Sequence, residues 1–298
     1  MSKWSQWVAA GACATVLNGA AQAAIVYSGG TYSQNFDSLP NTPHNASIET
    51  TYTDGWQDDV DPAVSAQSDV SIPGWYLWHP VSPASENGFN GNQRMRFGDG
   101  ANNTGAFWSY GTSATTDRAL GSLGSTTIAN QPTGTPPAND TRVLRALRIT
   151  NGTGGTLGSF TLVFDAEQWR DGNNTTHETT AFQYQIGATA IHDADFWITP
   201  AGDAGSYSTL QATAVAGAMD GNNALNRHND VTVTASGLTW LPGTDLWLRW
   251  NDPQVLGNDH GMAIDDLTFT AAAAVPEPAG LAVLGLGGLG LLARRRTR

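Results

Sequence analysis

Short apolar and β-branched runs, separated by turn-forming clusters, extend through most of the chain. Alternation of two side-chain sets is clearest over residues 142–149, and similar runs recur as far as residue 270. Gly, Ser, Thr, Asn and Asp fill the gaps, and no window keeps the period of a helix. The pattern predicts an all-β domain of about ten to twelve strands in two packed sheets, most simply a jelly roll.

The domain is predicted to occupy residues 24–271 and to contain two long loops, 41–69 and 124–140. Loops of this kind are polar and rich in Pro, Gly or Asp. The runs predicted to be strands are 25–27, 31–36, 74–79, 94–97, 106–111, 142–149, 160–170, 180–187, 195–199, 231–235, 246–250 and 261–270.

Residues 1–23 have the three parts of a secretory signal peptide. Lys3 is the only charge, residues 8–17 are largely apolar, and Ala21-Gln22-Ala23 supplies the small-x-small cleavage site. Cleavage is expected before residue 24. The single cysteine, Cys13, lies inside this segment, so the exported body has none and must fold without disulfides. A lipid anchor on Cys13 is the alternative, but Ala10 stands where a large apolar residue is usual.

Residues 272–298 form a separate C-terminal segment. Pro276-Glu277-Pro278 is followed by an apolar run of 15 residues, 279–293, and then by Arg294, Arg295 and Arg296. As a helix the run would span roughly 22 Å, short of the roughly 30 Å of a bilayer core. Short helical segments are expected here and in the signal peptide.

This three-part order resembles the PEP-CTERM sorting signal of Gram-negative bacteria. The resemblance implies recognition by an exosortase-type transpeptidase, which would cut near Pro276-Glu277-Pro278 and pass the body from the inner membrane to the envelope or the outside. Arg294, Arg295 and Arg296 would then act as the membrane stop. An ordinary membrane anchor that is never cut is the alternative.

Charge narrows the possible partners. The chain holds 14 Lys and Arg against 26 Asp and Glu. Setting aside Lys3, Glu277 and the four tail arginines leaves nine arginines and 25 acids in residues 24–274, a charge of −16. Such a surface repels phosphates, which excludes DNA and RNA as partners. It suits an extracellular protein and divalent cations.

The body also resembles a β-sandwich module of bacterial surface proteins, through segments 117–121, 167–170, 248–250 and 259–266. Its Ala-Ile-Asp-Asp end resembles that of lectin-like jelly rolls. That resemblance implies a structural calcium on Asp265 or Asp266, with Asp37 contributing from the opening segment. Adjacent residues on a strand point to opposite faces, so one of the two aspartates is expected to face inward. A buried Asp–Arg pair using Arg118 or Arg249 is the alternative.

Two further sets of side chains could carry function. Asp165 and Glu167 share a strand face, as the paired carboxylates of a polysaccharide hydrolase do, although Arg170 could neutralise Glu167. Trp56 and Trp78 lie near loops and are predicted to be exposed, where they could stack on sugar rings. The preferred hypothesis is a non-enzymatic envelope or matrix protein that binds exopolysaccharide or mediates adhesion. A hydrolase and a purely structural surface protein are the alternatives.

Overall fold

A computed structural model describes residues 24–39, 41, 72–79, 95–113, 115–126, 128–129, 141–193 and 196–274. The predicted signal peptide, Trp56, the sorting motif Pro276-Glu277-Pro278 and the arginines that follow it lie outside these residues, as do the predicted terminal helices. Within the part described, no helix is long and apolar enough to cross a membrane.

The described chain is almost entirely β. Its strands are β1 (Ile25–Tyr27), β2 (Tyr32–Gln34), β3 (Trp75–Trp78), β4 (Arg96–Gly98), β5 (Ala106–Tyr110), β6 (Ala119–Leu123), β7 (Leu144–Asn151), β8 (Leu157–Asp171), β9 (Thr179–Ile186), β10 (Tyr207–Ser208), β11 (Gly217–Ala218), β12 (Arg227–Trp240), β13 (Asp245–Asn251) and β14 (Gly261–Ala273). One short 3-10 turn, Ala201–Asp203, precedes β10.

The strands form a six-stranded and an eight-stranded sheet. The first has the order β1-β7-β13-β9-β10, with β3 also paired to β7. The second has the order β11-β8-β14-β6-β5-β4, with β12 paired to β8 and β2 to β14. Neighbouring strands are mostly far apart in sequence, as in the predicted jelly roll. The predicted two-sheet sandwich is confirmed.

Alternating side chains of both sheets fill the core. On β7, Leu147 and Ile149 enter the central cluster, while Leu144 and Ala146 join a second cluster on the outer face of the six-stranded sheet. Trp75 and Trp250 stack in the core with ring centroids 5.8 Å apart. Burying each large apolar side chain contributes about 1.5–3 kcal/mol, which holds the two sheets together.

One local prediction is wrong, and another gives only part of a strand. In the segment predicted as a strand at 195–199, the described residues 196–199 form a loop in which Ile198 alone pairs, with Tyr184. Phe196 has a φ of 70° and its side chain is 85% exposed, so its backbone cannot continue an extended strand. The run predicted at 231–235 is part of a much longer strand, Arg227–Trp240.

Of the two aspartates, one of which was expected to face inward, Asp265 is buried at 3% exposed, but its carboxylate lies outside the core between the sheets. Ile264 and Leu267 both lie in the core, and two residues stand between them. The register with β8 shifts here, and Asp266 has a φ of 49°. This β-bulge absorbs the extra residue, so neither carboxylate has to enter the core.

Candidate functional site

A polar cleft of about 310 Å³ lies at one end of the eight-stranded sheet. It lies where β6 and β8 end and β14 begins, because Gly261 pairs with both Leu123 and Arg170. Its principal polar side chains are those of Asn103, Arg170, Gln254, Asn258 and Asp259.

The loop after β13 positions Gln254 and Asp259. The Gln254 backbone N–H donates to Thr141 O at 2.7 Å, and the Val255 N–H donates to Asp259 Oδ1 at 2.9 Å. Gln254 Nε2 donates to Val255 O at 3.0 Å, which fixes the orientation of the amide. Gln254 Oε1 is therefore directed away from that bond. It is buried and has no hydrogen-bond donor among the described residues.

Gly124 packs closely against these oxygens. A Cβ at this position would lie 2.9 Å from Asp259 Oδ1 and 3.0 Å from Gln254 Oε1. Both acceptor oxygens therefore lie against Gly124 in the wall of the cleft. Any side chain at position 124 would have to displace one of them.

Acidic groups lie around this wall. Burial, together with repulsion from Asp252, raises the pKa of Asp259 to about 7. Burial and the nearby Asp259 raise the pKa of Glu178 to about 9. Glu178 Oε2 accepts the His260 backbone N–H at 3.0 Å, while Oε1 has no donor within the described chain. The wall therefore favours a positive charge or a proton.

Hydrogen bonds also fix the side chains of His260 and Arg170. His260 Nδ1 accepts the Gly172 N–H at 3.2 Å, so its proton lies on Nε2, which donates to Asn174 O at 3.1 Å. Arg170 Nη1 donates to the carbonyls of Gly100 and Ala101 at 2.8 and 2.9 Å. The guanidinium is thus held against a loop.

A second carboxylate group, here called the acidic cluster, contains Asp165, Glu167, Asp265 and Asp266. It lies on the outer face of the same sheet, because the intervening Phe164 and Ala166 enter the core. Burial raises the pKa of Glu167 to about 7, and burial with repulsion from Glu167 raises that of Asp265 to about 9.

Arg227 provides the counter-charge of this cluster. It hydrogen-bonds Asp165 and lies 3.7 Å from Glu167 Oε1 through Nη1. The interpretation that Arg170 neutralises Glu167 is wrong, because Arg170 is bonded elsewhere. The position of Arg227 follows from its pairing with Glu167 across β12 and β8.

The arginines expected to pair with the terminal aspartates have other partners. Arg118 donates through its side chain to Ser109, and Arg249 donates to Gln183 Oε1 at 2.7 Å and stacks over Trp197. Asp37 Oδ1 accepts the Arg118 backbone N–H at 3.3 Å, and Asp37 adds to the negative field at Asp266.

Calcium at Asp37, Asp265 and Asp266 stays a prediction. Among the residues that the structure describes, no group of three His, Cys, Asp or Glu side chains could hold a metal ion.

Trp78 is not exposed as predicted. Its side chain is only 7% exposed, because His192 stacks on it at 5.3 Å and Arg142 lies 5.0 Å from its ring centroid. Its binding role stays a prediction, as does that of Trp56.

Gln254 and Asp259 were not among the predicted site residues. The sequence feature that could have indicated them is the polar loop, containing Pro253 and Gly257, that directly follows an aromatic strand.

Comparison with known proteins gives structural likenesses only. No family model and no curated protein matches the chain. The K3 cleaved adhesin domain of Lys-gingipain from Porphyromonas gingivalis W83 is 13% identical, with a TM-score of 0.32, over 75% of this chain and 97% of that one. TmCBM61, solved with β-1,4-galactotriose, is 8% identical, with a TM-score of 0.23, over 66% and 82%.

A further likeness is to CBM28, a carbohydrate-binding module specific for non-crystalline cellulose. It is 11% identical, with a TM-score of 0.25, over 59% of this chain and 85% of that one. The structural neighbours thus include adhesin domains and carbohydrate-binding modules. TM-scores this low carry no argument about function, which has to come from the residues of the cleft.

Proposed function

We propose that this chain is an exported, non-enzymatic protein of the bacterial cell envelope or extracellular matrix that binds exopolysaccharide and mediates adhesion through the polar cleft. The lining of the cleft is the observation that carries the proposal. Asn103, Gln254, Asn258 and Asp259 provide planar amide and carboxyl groups next to the Arg170 guanidinium. Such groups form directional hydrogen bonds with the vicinal hydroxyls of a sugar.

A binding experiment tests the role of the cleft. The protein is applied to a glycan array and to immobilised polysaccharide secreted by the producing cells. Asn258→Ala removes an exposed polar side chain of the cleft and should weaken binding about 10-fold, as expected for one or two lost hydrogen bonds. Asn229→Ala, on the exposed part of β12, is the matched control. No binding to any glycan would remove the proposal.

Export and sorting are the second part of the proposal, and the sequence of the two ends supports them. The signal peptide at 1–23 would direct export, and an exosortase-type transpeptidase would process Pro276-Glu277-Pro278. Mass spectrometry of the mature protein should find a new N-terminus at residue 24 and no Arg294, Arg295 or Arg296. A mature protein that keeps residues 1–298 would contradict this part and leave cleft binding intact.

A polysaccharide hydrolase using Asp165 and Glu167 is the rival function. Glu167 has the raised pKa that a general acid needs. However, its side chain is fully buried, Trp169 Nε1 donates to it at 2.8 Å, and Arg227 already pairs with it. These contacts favour a structural role. Hydrolysis of a bound polysaccharide that Glu167→Gln abolishes, with the fold intact, would establish the rival.

A purely structural surface protein is the remaining alternative. It predicts self-assembly of the secreted protein without affinity for any glycan. Light scattering on the purified protein, run beside the array experiment, separates the two functions.

A further inference from the structure

Strand β12 is a long edge strand of the eight-stranded sheet. It has 14 residues, and among the described strands it pairs with β8 alone. The other strands that pair on one side only, β1, β2, β3, β4, β10 and β11, have two to four residues each. Short edge strands are a common protection against pairing between the sheets of two molecules. β12 lacks that protection.

The hydrogen bonds of β14 show which backbone groups of β12 face away from β8. The Ala271 N–H donates to the Tyr27 hydroxyl at 2.8 Å, so the backbone of Ala271 faces away from β8. Ala271 and Phe160 therefore form a pair without backbone hydrogen bonds between them. Phe160 directs its N–H and C=O to the other side of β8, where it pairs with Ala235 of β12. The backbone of Ala235 is thus bonded to β8.

Because bonding alternates along a strand, Thr232, Thr234 and Ser236 direct both N–H and C=O outwards. None of these outward groups has a backbone partner within the described chain. The register with β8 is regular from Val231 to Ser236 and shifts on either side of that stretch. A regular free edge therefore extends over residues 231–236.

The side chains of this free edge do not hinder pairing. Residues 231–236 include no proline, lysine or other charged residue, which are the residues that usually block an edge. Thr232, Thr234 and Ser236 are exposed, whereas Val233 and Ala235 are buried in the core. The core thus fixes β12 on its own sheet and leaves a row of hydroxyl groups beside the free backbone.

We propose that two copies of this chain pair through β12, antiparallel to each other, about a two-fold axis at Thr234. Such an axis passes through one facing pair, so one residue must face its own copy. With Thr234 at the axis, Thr232 faces the partner's Ser236, and all the outward residues exchange backbone hydrogen bonds. An axis at Val233 or Ala235 would leave one of them unpaired.

A second copy fits this edge better than an unrelated peptide. Each outward Thr or Ser then faces a hydroxyl group, a favourable pair across antiparallel strands. An unrelated strand would be selected by pockets for its alternate side chains, which three exposed hydroxyl groups do not form. The nearest charged residue, Asp230, lies about 13 Å from the axis along the strand, so its repulsion of the partner's Asp230 is largely screened by salt.

Two exposed leucines flank the strand in sequence. Leu225, 73% exposed, precedes β12, and Leu241, 49% exposed, directly follows it. Antiparallel pairing brings the Leu241 end of each strand beside the Leu225 end of the other, where both can lose apolar surface to water. A two-fold contact also closes at two copies and does not extend into a polymer.

Sedimentation velocity on the purified full chain tests the pairing. The interface is small, so a dissociation constant on the order of 10 µM is expected, and the concentrations should lie on both sides of it. Thr234→Lys places two ammonium groups opposite each other at the axis and should raise that constant at least about 10-fold. Thr268→Lys is the matched control, because β14 is paired there on both sides, with Ser33 and Val163.

Three results would overturn the inference. The first is a monomer at every concentration, as expected if another part of the chain covers the edge. The second is a dimer that Thr234→Lys leaves intact, and the third is growth beyond two copies, which the purely structural alternative predicts. Thr234→Lys removes no side chain of the cleft and should leave the affinity for a soluble oligosaccharide unchanged. A chain that dimerises but binds no glycan would contradict the proposed function alone.

Disulfide cross-linking locates the axis independently of any loss of stability in the lysine variant. Facing Cα atoms of a hydrogen-bonded pair lie about 5.5 Å apart, within the range of a disulfide. In a Cys13→Ser background, Thr234→Cys should therefore link two copies on mild oxidation. Thr239→Cys, exposed on the same strand but away from the axis, should not. Equal linking of both variants, or of neither, would refute the assignment.

Discussion

The acidic cluster and the cleft are two groups of carboxyl and amide side chains at one sheet. They differ in whether an arginine lies close to the carboxylates. In the acidic cluster Arg227 bonds Asp165 and lies against Glu167. In the cleft Gln254 Oε1 has no donor within the described chain and is buried against Gly124. Glu167 Oε1 of the acidic cluster also lacks a hydrogen-bond donor among the described residues, so the two groups differ in counter-charge: Arg227 lies 3.7 Å from Glu167 Oε1.

The difference comes from strand pairing. β12 lies antiparallel to β8 and brings Arg227 opposite Glu167, although 60 positions separate the two residues in the chain. At the cleft the pairing partners are Leu123, Arg170 and Gly261, and the acceptors lie on the loop before β14. Arg170 of β8 also lines the cleft, but its Nη1 donates to the Gly100 and Ala101 carbonyls.

Stability should fall strongly as pH rises, because both regions hold carboxyl groups with raised pKa values. Burial raises the pKa of Asp265 and Glu178 to about 9. The folded chain then keeps protons that the unfolded chain loses above about pH 4, so stability decreases from there towards the folded pKa. Each such group contributes up to about 1.4 kcal/mol per pH unit. The melting temperature should be clearly higher at about pH 5 than at about pH 8.

Asp265→Asn in the acidic cluster and Glu178→Gln beside the cleft should each make the melting temperature depend less on pH. A melting temperature that rises from pH 5 to pH 8 would show that these groups are ionised and paired in the folded protein. In the acidic cluster that result would also support the predicted cation at Asp37, Asp265 and Asp266, because a bound cation stabilises the ionised form.

Removing Arg227 should have the largest effect among single substitutions. Arg227→Met leaves Glu167 buried without its counter-charge, and breaking such a pair costs about 3 kcal/mol. Arg148→Met is the matched control, because the Arg148–Asp245 ion pair is more exposed and should be worth at most about 1 kcal/mol. Urea unfolding at about pH 7 measures both. Equal losses would mean that the acidic cluster does not depend on Arg227.

Amidation of one carboxyl in each region should shift stability in opposite directions. Asp165→Asn weakens the Arg227 contact and the bond from the Asp230 N–H, measured at 2.7 Å, and should cost about 1 kcal/mol. Asp259→Asn removes a carboxyl whose ionisation is unfavourable in the fold. At about pH 8 it should leave stability unchanged or raise it by up to about 1 kcal/mol.

The fold and the two polar regions differ in how much of them is written in local sequence. Periodicity identified the sandwich and the long run at 142–149, because alternation is a local property of a strand. It could not identify Arg227 as the partner of Glu167, since that contact depends on the pairing of β12 with β8. It also could not anticipate the bulge at Asp266, where one extra residue keeps both aspartates out of the core. Trp78 was expected at the surface because it precedes a loop, but His192 and Arg142 cover it.

The smallest predicted effect concerns Asp117. This exposed residue acts on the acidic cluster only through electrostatic repulsion. It raises the pKa of both Glu167 and Asp265, after the larger contribution of burial. Asp117→Asn should therefore lower both pKa values and stabilise the protein at about pH 8 by less than about 0.5 kcal/mol, with no gain at about pH 4, where the unfolded chain is protonated as well. Thermal melts at the two pH values measure the difference. A gain in stability at both pH values would instead come from backbone or solvation changes at position 117. The pKa values of the acidic cluster would then not depend on Asp117.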